Sequence, residues 1–446
     1  MDLETSLPLL YPLRYHIDHL AFRSLSTQSA SLQSVKFFYE FWRQKYGVSF
    51  CYSFYSSDHN PDIAVGEMPA FWMYLENGHN VQSNVLSLTR VTKANSLTHT
   101  VRVRAVIHFI SFLINTYISP AYRDDSPKAL SLLASRLHTR LQLCRENYRT
   151  LTSNKFSQHS HSSQGFQSLS GAMVLSLYGI ITPSSAQKHN PLNPFPSGHL
   201  QFRNFLIIRL LLNYGLRTGE LLLLECSSIK PNLKGDKFSL IVTTVDEAYE
   251  PRKNAPSLKN AWANRVLELD KQDYIFLSIY IAKLRPKTDK HDFIFTSSQQ
   301  SAKPLSYTSV HSIFSKIDQV FTNQYPEYKS PLYSDSLQRL TPHTTRHTWA
   351  FLTLQKIWHL KYLKSQQNKT HFIAEVPSLS GIMEEAKDEL RLMGGWSPTS
   401  QMPDLYAKRF LSEQANAANV QRIIQDNAAL HNTLDTIMDR YNDDII

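Results

Sequence analysis

Residues 213–224 read Asn-Tyr-Gly-Leu-Arg-Thr-Gly-Glu-Leu-Leu-Leu-Leu. The apolar run before them, Phe205 to Leu212, predicts a helix that meets a glycine break at Gly215. Arg217 then stands between leucines, and Glu220 follows three residues later. Burying a guanidinium is costly unless an anion meets it. Two readings are open: a structural Arg217–Glu220 fork inside a helical core, or one arm of a site for an external anion. They part on whether other residues converge on Arg217.

Outward from this stretch, a buried helix is expected over Gln201 to Tyr214, before the break. After it, Phe238 to Val245 and Ala263 to Leu269 read as two strands, separated by the polar segment Asp246 to Asn260 with Pro251 and Pro256. Asp270 to Leu284 and Ser306 to Phe321 are predicted helices, and Asp292 to Phe295 a short buried strand. Toward the N-terminus the pattern is helical. Ser26 to Tyr46 starts at a Ser26 or Thr27 cap and stops at Gly47, and Ala64 to Leu75 is a second candidate. Thr98 to Tyr117 and Pro127 to Tyr148 follow, while Val48 to Phe54 is ambiguous between strand and loop. Arg102, Arg104, Arg136, Arg140, Arg145 and Arg149 lie off the apolar stripes of the two long helices, as a phosphate-binding face or a solvated surface would.

These elements imply a mainly α protein with a small antiparallel sheet. The division expected is a lead-in over 1–25, a helical domain over 26–152, a linker region over 153–199, a mixed domain over 200–410 and a helical tail over 411–446. Ser153 to Gly165 is the most linker-like stretch; its His159 and His161 have no cysteine or carboxylate nearby to complete a metal site. The 446 residues allow two or three domains. A formal charge of +10 favours a polyanionic partner, nucleic acid before membrane. Three scattered cysteines (Cys51, Cys144, Cys226) offer neither a disulfide framework nor a metal motif, which suits a reducing cytoplasm. The acidic N-terminus does not read as a signal peptide.

Four downstream features bear on Arg217. His343 and Arg346, in Pro342-His-Thr-Thr-Arg-His347, share a face at the start of a helix, where the dipole favours an anion. Trp396 follows Gly394-Gly395 directly and brings an N–H donor on an apolar body. Tyr406 stands ten residues beyond Trp396, and Lys259 lies at the end of the polar segment between the strands. Taken singly, each has a bland reading: an exposed helix start, a core aromatic, one of 22 tyrosines, a solvated lysine.

In this order the set resembles the tyrosine recombinase (phage integrase) family over about residues 180–446. The resemblance rests on Gly215-Leu-Arg-Thr-Gly-Glu-Leu221, His343 to Arg346, Gly394-Gly-Trp396 and Tyr406. The front half is similar, more loosely, to the family's helical core-binding domain, which with the catalytic domain would clamp a DNA duplex. Three departures stand out: Arg346 and Trp396 lie about twice as far apart as in compact members, Trp396 to Tyr406 is one residue longer than expected, and the lysine has rivals in Arg252, Lys253 and Arg265; in the His343 to Arg346 box, Thr345 stands where a leucine is frequent. The extra length falls in Trp358 to Ile382.

The resemblance implies Arg217, Lys259, His343, Arg346, Trp396 and Tyr406 as catalytic residues. Arg217 and Arg346 would clamp a scissile phosphate, with Trp396 donating its N–H. Tyr406 would attack with His343 as general base, and Lys259 would protonate the leaving 5′-oxygen, in rivalry with Arg252, Lys253 and Arg265. The product would be a 3′-phosphotyrosine, made without metal or other cofactor. Implied partners are double-stranded DNA, further copies in a tetramer on paired sites, and accessory DNA-bending or directionality proteins, with no membrane. The tail, with Val420, Ile423, Ile424, Ala428 and Leu430, would dock on a neighbouring copy. A DNA-binding member that barely cleaves and a type IB topoisomerase-like enzyme are the alternatives to an integrase of a mobile element.

Overall fold

The computed structural model of the chain describes residues 8–77, 93–121, 126–157, 166–184, 189–245, 250–252, 255–298, 302–333, 335–368 and 379–429. His159, His161, Lys253, Leu430 and much of the extra length before Ile382 lie outside the described residues. The chain forms two compact units, Met1–His161 and Ser162–Ile446.

The first unit is helical: α1 (Leu10–Tyr15), α2 (Leu25–Tyr46), α3 (Phe50–Ser56), α4 (Asp62–Gly66), α5 (Met68–Glu76), α6 (Lys93–Ala121) and α7 (Pro127–Ser157). Ser24, not Ser26 or Thr27, caps α2 by accepting from the Thr27 N–H, and Gly47 ends it with φ at 73°. The lead-in is not structureless, for Tyr11, Tyr15 and Leu20 are buried in the core with Phe38, Phe54 and Phe109. Only Tyr11 and Tyr15 stand at helical spacing, too short a run to mark a helix in the sequence. The stretch around Val48 resolves as helix α3, capped by Ser49. The Ala64 to Leu75 candidate splits into α4 and α5 at Glu67, with Pro69 in the first turn of α5. Thr98–Ile118 of α6 is long and apolar enough to cross a membrane, and 56% of it is buried within the unit.

The second unit contains α8 (Gly171–Ile181), α9 (Gly198–Asn213), α10 (Thr218–Leu222), α11 (Lys271–Ile279), α12 (Tyr307–Gln324), α13 (Pro342–Asn368), α14 (Leu379–Gly394) and α15 (Met402–Ala429). Its sheet has three antiparallel strands in sequence order, β1 (Ile229–Pro231), β2 (Phe238–Val242) and β3 (Arg265–Leu269). Leu240 faces Leu267 and Phe238 faces Leu269, so alternate residues of β2 and β3 point inward. The mainly helical class with a small antiparallel sheet is therefore what the sequence implied. β1 was not anticipated: three residues with a proline give almost no period-two signal. Asp292 to Phe295 forms no ladder among the described residues, only an isolated bridge from Phe293 to Glu225. Within the 153–199 stretch, α8 is fully part of the packing, with Met173, Leu177, Ile180 and Ile181 in the main core.

Two apolar clusters build this unit. The larger surrounds α9 and the sheet, and includes Leu216, Leu221, Leu222 and Leu224. The smaller gathers Trp349, Phe351 and Leu354 of α13, Leu390 of α14, Trp396, and Tyr406 and Phe410 of α15, with Phe166. Arg217 lies after the first cluster and Tyr406 inside the second.

Candidate active site

Gly215 sets the geometry around Arg217. Its φ is 59°, and a Cβ there would overlap the Trp349 ring, so only glycine fits both the turn and the space. The chain then extends through Arg217, the residue flanking the N-terminus of α10. Glu220 closes that end, accepting from the Arg217 backbone N–H at 2.9 Å.

The Glu220 side chain is 1% exposed, and three guanidinium groups gather on it. Arg217 Nη1 lies 2.5 Å from Oε1, and Arg265 Nη2 lies 2.8 Å from Oε2. Arg346 Nη1 is 3.9 Å away and instead donates to the Gly215 carbonyl, while its Nη2 donates to the Gly394 carbonyl at 2.6 Å. Arg217 Nη2 donates to the Gly395 carbonyl at 3.2 Å. Both glycines at the end of α14, Gly394 and Gly395, are thus acceptors for the arginines. Gly395 has φ at 59°, and a Cβ on Gly394 would overlap the Trp396 ring.

One carboxylate among three guanidinium groups leaves a cationic excess. Burial pushes the Glu220 carboxyl up, but Arg265, Arg346 and Arg217 more than reverse this and leave it below its ordinary value. Arg346 moves down to about 9, from burial first and then the Arg217 cation, and it remains protonated at neutral pH. Its guanidinium carbon lies 4.5 Å from the centre of the Trp396 ring. Trp396 in turn lies 6.1 Å, ring to ring, from Tyr406.

Tyr406 is 1% exposed. Burial pushes its phenol up to about 12, against the lowering pull of Arg346 and Arg217. Its hydroxyl is hydrogen-bonded to His347 Nδ1 at 2.8 Å. His343, expected to serve this hydroxyl, is exposed at the start of α13, with its ring 4.2 Å from that of His347. Its side chain reaches solvent, but desolvation on its packed side, then Arg346, Lys259 and Arg217, hold His343 below the usual histidine range.

Lys259 is exposed, and among the described residues its side chain makes no hydrogen bond or ion pair. Its segment borders the site: the Ser257 carbonyl would lie 3.1 Å from a Cβ on Gly219. Two of its rivals are committed elsewhere. Arg252 pairs with Glu250 and donates to the carbonyls of Leu222 and Leu305. Arg265 holds Glu220 and the carbonyls of Met393 and Ala263.

Arg217, Arg346, Trp396 and Tyr406 are therefore brought into one site, with His343 and Lys259 at its cationic edge. Sequence reasoning gave no role to Arg265 beyond rivalry with the lysine, and none to His347. The available signal for His347 was its position four residues after His343, on the same helical face. Among the described residues no cluster of His, Cys, Asp or Glu could hold a metal ion. The site's unmatched charge suits an anion, and its buried hydroxyl suits attack on that anion.

Residues 187–368 match the family model described as the Phage integrase family. That segment carries Arg217, Lys259, His343 and Arg346 and ends before Trp396 and Tyr406. No curated protein matches the chain. Among solved structures, the Tn1549 transposon integrase in complex with transposon right-end DNA is similar at 14% identity and a TM-score of 0.38, over 86% of this chain and 99% of that one. The XerA recombinase is similar at 14% identity and 0.32, over 91% and 98%. XerH bound to its difH substrate is similar at 12% identity and 0.34, over 80% and 96%.

Proposed function

From the match of residues 187–368 to the Phage integrase family model, we propose that the protein is a site-specific DNA recombinase that cuts and rejoins strands through a 3′-phosphotyrosine. The observation that carries this is the gathering of Arg217, Arg265 and Arg346 on the single buried carboxylate of Glu220, beside Trp396 and Tyr406. A phosphodiester resists attack because its non-bridging oxygens repel a nucleophile. Preorganised donors offset that repulsion, each contributing on the order of 3–4 kcal/mol when single donors are removed elsewhere. Arg217 and Arg346 are the donors on the side of Tyr406, whose phenol both of them act on, whereas Arg265 is tied to Glu220 and the carbonyls of Met393 and Ala263.

The Tyr406 oxygen attacks phosphorus, the bond to the 5′-oxygen breaks, and Lys259 supplies the proton to that oxygen. His343 adds a donor at the exposed rim. The new ester retains the energy of the old one, so a 5′-hydroxyl from another strand reverses the step. The substrate is double-stranded DNA, in keeping with the chain's charge of +10. Exchange between two duplexes requires several copies, four on paired sites. The exposed Leu411, Val420, Ile423 and Ile424 of α15, on the helix that holds Tyr406, support docking of one copy on the next. Accessory DNA-bending or directionality proteins would set the direction of exchange, and the site of action would be the cytoplasm. A mobile element is the proposed source of the substrate ends.

The test is a pool of nicked duplexes with a randomised core, in which release of a short fragment traps any covalent complex. Wild type should become attached to a subset of sequences through a 3′-phosphate, and Tyr406→Phe should bind DNA without attachment. An adduct that persists in Tyr406→Phe would overturn the nucleophile assignment. Binding without any adduct would favour a non-cleaving member of the fold. Relaxation of plasmid without site preference would favour a topoisomerase.

A further inference from the structure

The position of His347 goes beyond this assignment and rests on it. His347 lies one residue past Arg346 on α13, half-buried, and its Nδ1 is hydrogen-bonded to the Tyr406 hydroxyl at 2.8 Å. The ring is held in place. Phe166 stacks on it at 5.3 Å and meets Tyr406 edge-on at 4.8 Å. Phe166 is itself covered by the Arg409 guanidinium at 5.0 Å. The irregular segment that carries Phe166 is tied down at two points: Ser168 Oγ accepts from Arg409, and the Leu169 N–H donates to Thr348 Oγ1 at 2.8 Å. His343 packs against the remaining face with its ring at 71° to that of His347.

We infer that His347, rather than His343, is the proton acceptor of the nucleophile, a catalytic residue in direct contact with the reacting oxygen. As the bond from Tyr406 Oη to phosphorus forms, the Oη proton moves to His347 Nδ1, leaving an imidazolium. The bond from phosphorus to the 5′-oxygen breaks, and that oxygen takes its proton from Lys259. Resealing returns both protons. Acceptance requires a neutral ring with its lone pair on Nδ1. The charged and titratable groups around it are His343 and Arg346 on its own helix, which keep the resting ring neutral, and Tyr406, the proton donor; the anionic phosphate of the substrate offsets the imidazolium that forms. Burial, His343 and Arg346 lower His347 to about 4, so the ring is unprotonated at neutral pH.

His347→Asn separates proton acceptance from positioning, because its amide oxygen can still hold the hydroxyl and cannot take the proton. Adduct formation on nicked duplexes is compared for wild type, His347→Asn, His343→Asn and Lys259→Ala, each with DNA binding measured by gel shift. A second substrate carries sulfur in place of the bridging 5′-oxygen, a leaving group that needs no proton. We expect His347→Asn to bind DNA normally and to lose on the order of 10²-fold or more in rate. The sulfur substrate should restore Lys259→Ala and leave His347→Asn slow. His343→Asn should lose less than His347→Asn. Restoration of His347→Asn by sulfur would overturn the assignment, as would a His347→Asn rate equal to wild type. Phe166→Leu is the variant to use should His347→Asn fail to bind DNA. It should slow the sulfur reaction while binding DNA, and a wild-type sulfur rate there would overturn the assignment. A wild type that binds DNA yet attacks neither substrate removes the recombinase reading itself, and this assignment with it.

Discussion

Glu220 holds Arg217 twice, by the backbone N–H at 2.9 Å and by the guanidinium at 2.5 Å. The same carboxylate therefore closes the start of α10 and sets the direction of the arginine side chain. The two readings of Arg217 left open by the sequence are not exclusive. The fork exists, and it accounts for one guanidinium out of three. Replacing Glu220 by Gln removes the lone anion beneath Arg217, Arg265 and Arg346. Uncompensated buried charge of this kind costs about 3–5 kcal/mol, so urea unfolding of Glu220→Gln should shift to markedly lower denaturant. A midpoint equal to wild type would show that the three arginines do not depend on this carboxylate.

Gly215 carries a second expectation. An added methyl must accept a left-handed backbone and displace Trp349, whose helix also carries Arg346. Strain and overpacking together predict about 2–4 kcal/mol of lost stability in Gly215→Ala. The Gly215 carbonyl also receives Arg346. DNA attachment should therefore fall even at temperatures where the variant remains folded by circular dichroism. An intact attachment rate in folded Gly215→Ala would refute the coupling of this turn to the clamp.

Much of this was legible in the sequence because the chemistry is local there. Gly215, Arg217 and Glu220 lie within six residues, and a lone arginine among leucines states its need for a partner. The class of fold followed from helical periodicity and from the alternating pattern of Phe238 to Val242. What escaped was set by tertiary contact. His347 looked like a neighbour of the motif because its partner lies 59 residues away on α15. Arg265 sits in a strand as an ordinary basic residue, and only the approach of the α14 end shows it bridging Glu220 and the Met393 carbonyl. Tyr11 and Tyr15 stand four apart in a run too short to mark a helix, yet both are buried in the first unit's core. The first part of the extra length after Trp358 continues α13 to Asn368.

Stability should depend on pH through His347. Its folded value is lowered from 6.5 to about 4, so between these values the unfolded chain binds more protons than the folded one. The contribution is present in full above 6.5, declines as pH falls, and is lost near 4. Urea midpoints measured across that window should drop with falling pH, and His347→Asn should show a shallower drop. Equal slopes for the two proteins would show that His347 protonates as readily in the fold as outside it.

Arg265 and Lys259 are both cations of the segment leading into or forming β3, and the structure separates their roles. Arg265 donates to Glu220, to the Met393 carbonyl and to the Ala263 carbonyl, which joins β3 to the end of α14. Lys259 is exposed and free of such ties among the described residues. Replacing Arg265 by Met should therefore destabilise the fold by about 2–4 kcal/mol, since a buried charge-assisted contact and two carbonyl acceptors lose their donor. Lys259→Ala should unfold at nearly the wild-type denaturant concentration, as an exposed side chain with no hydrogen bond or ion pair among the described residues contributes little. The order reverses when a sulfur-bridged substrate is supplied. A leaving group that needs no proton bypasses Lys259, but it does nothing to return the Gly395 carbonyl and Glu220 to their places around Arg217. Attachment by Arg265→Met should stay depressed on that substrate, and its recovery to the wild-type rate would make Arg265, not Lys259, the proton donor.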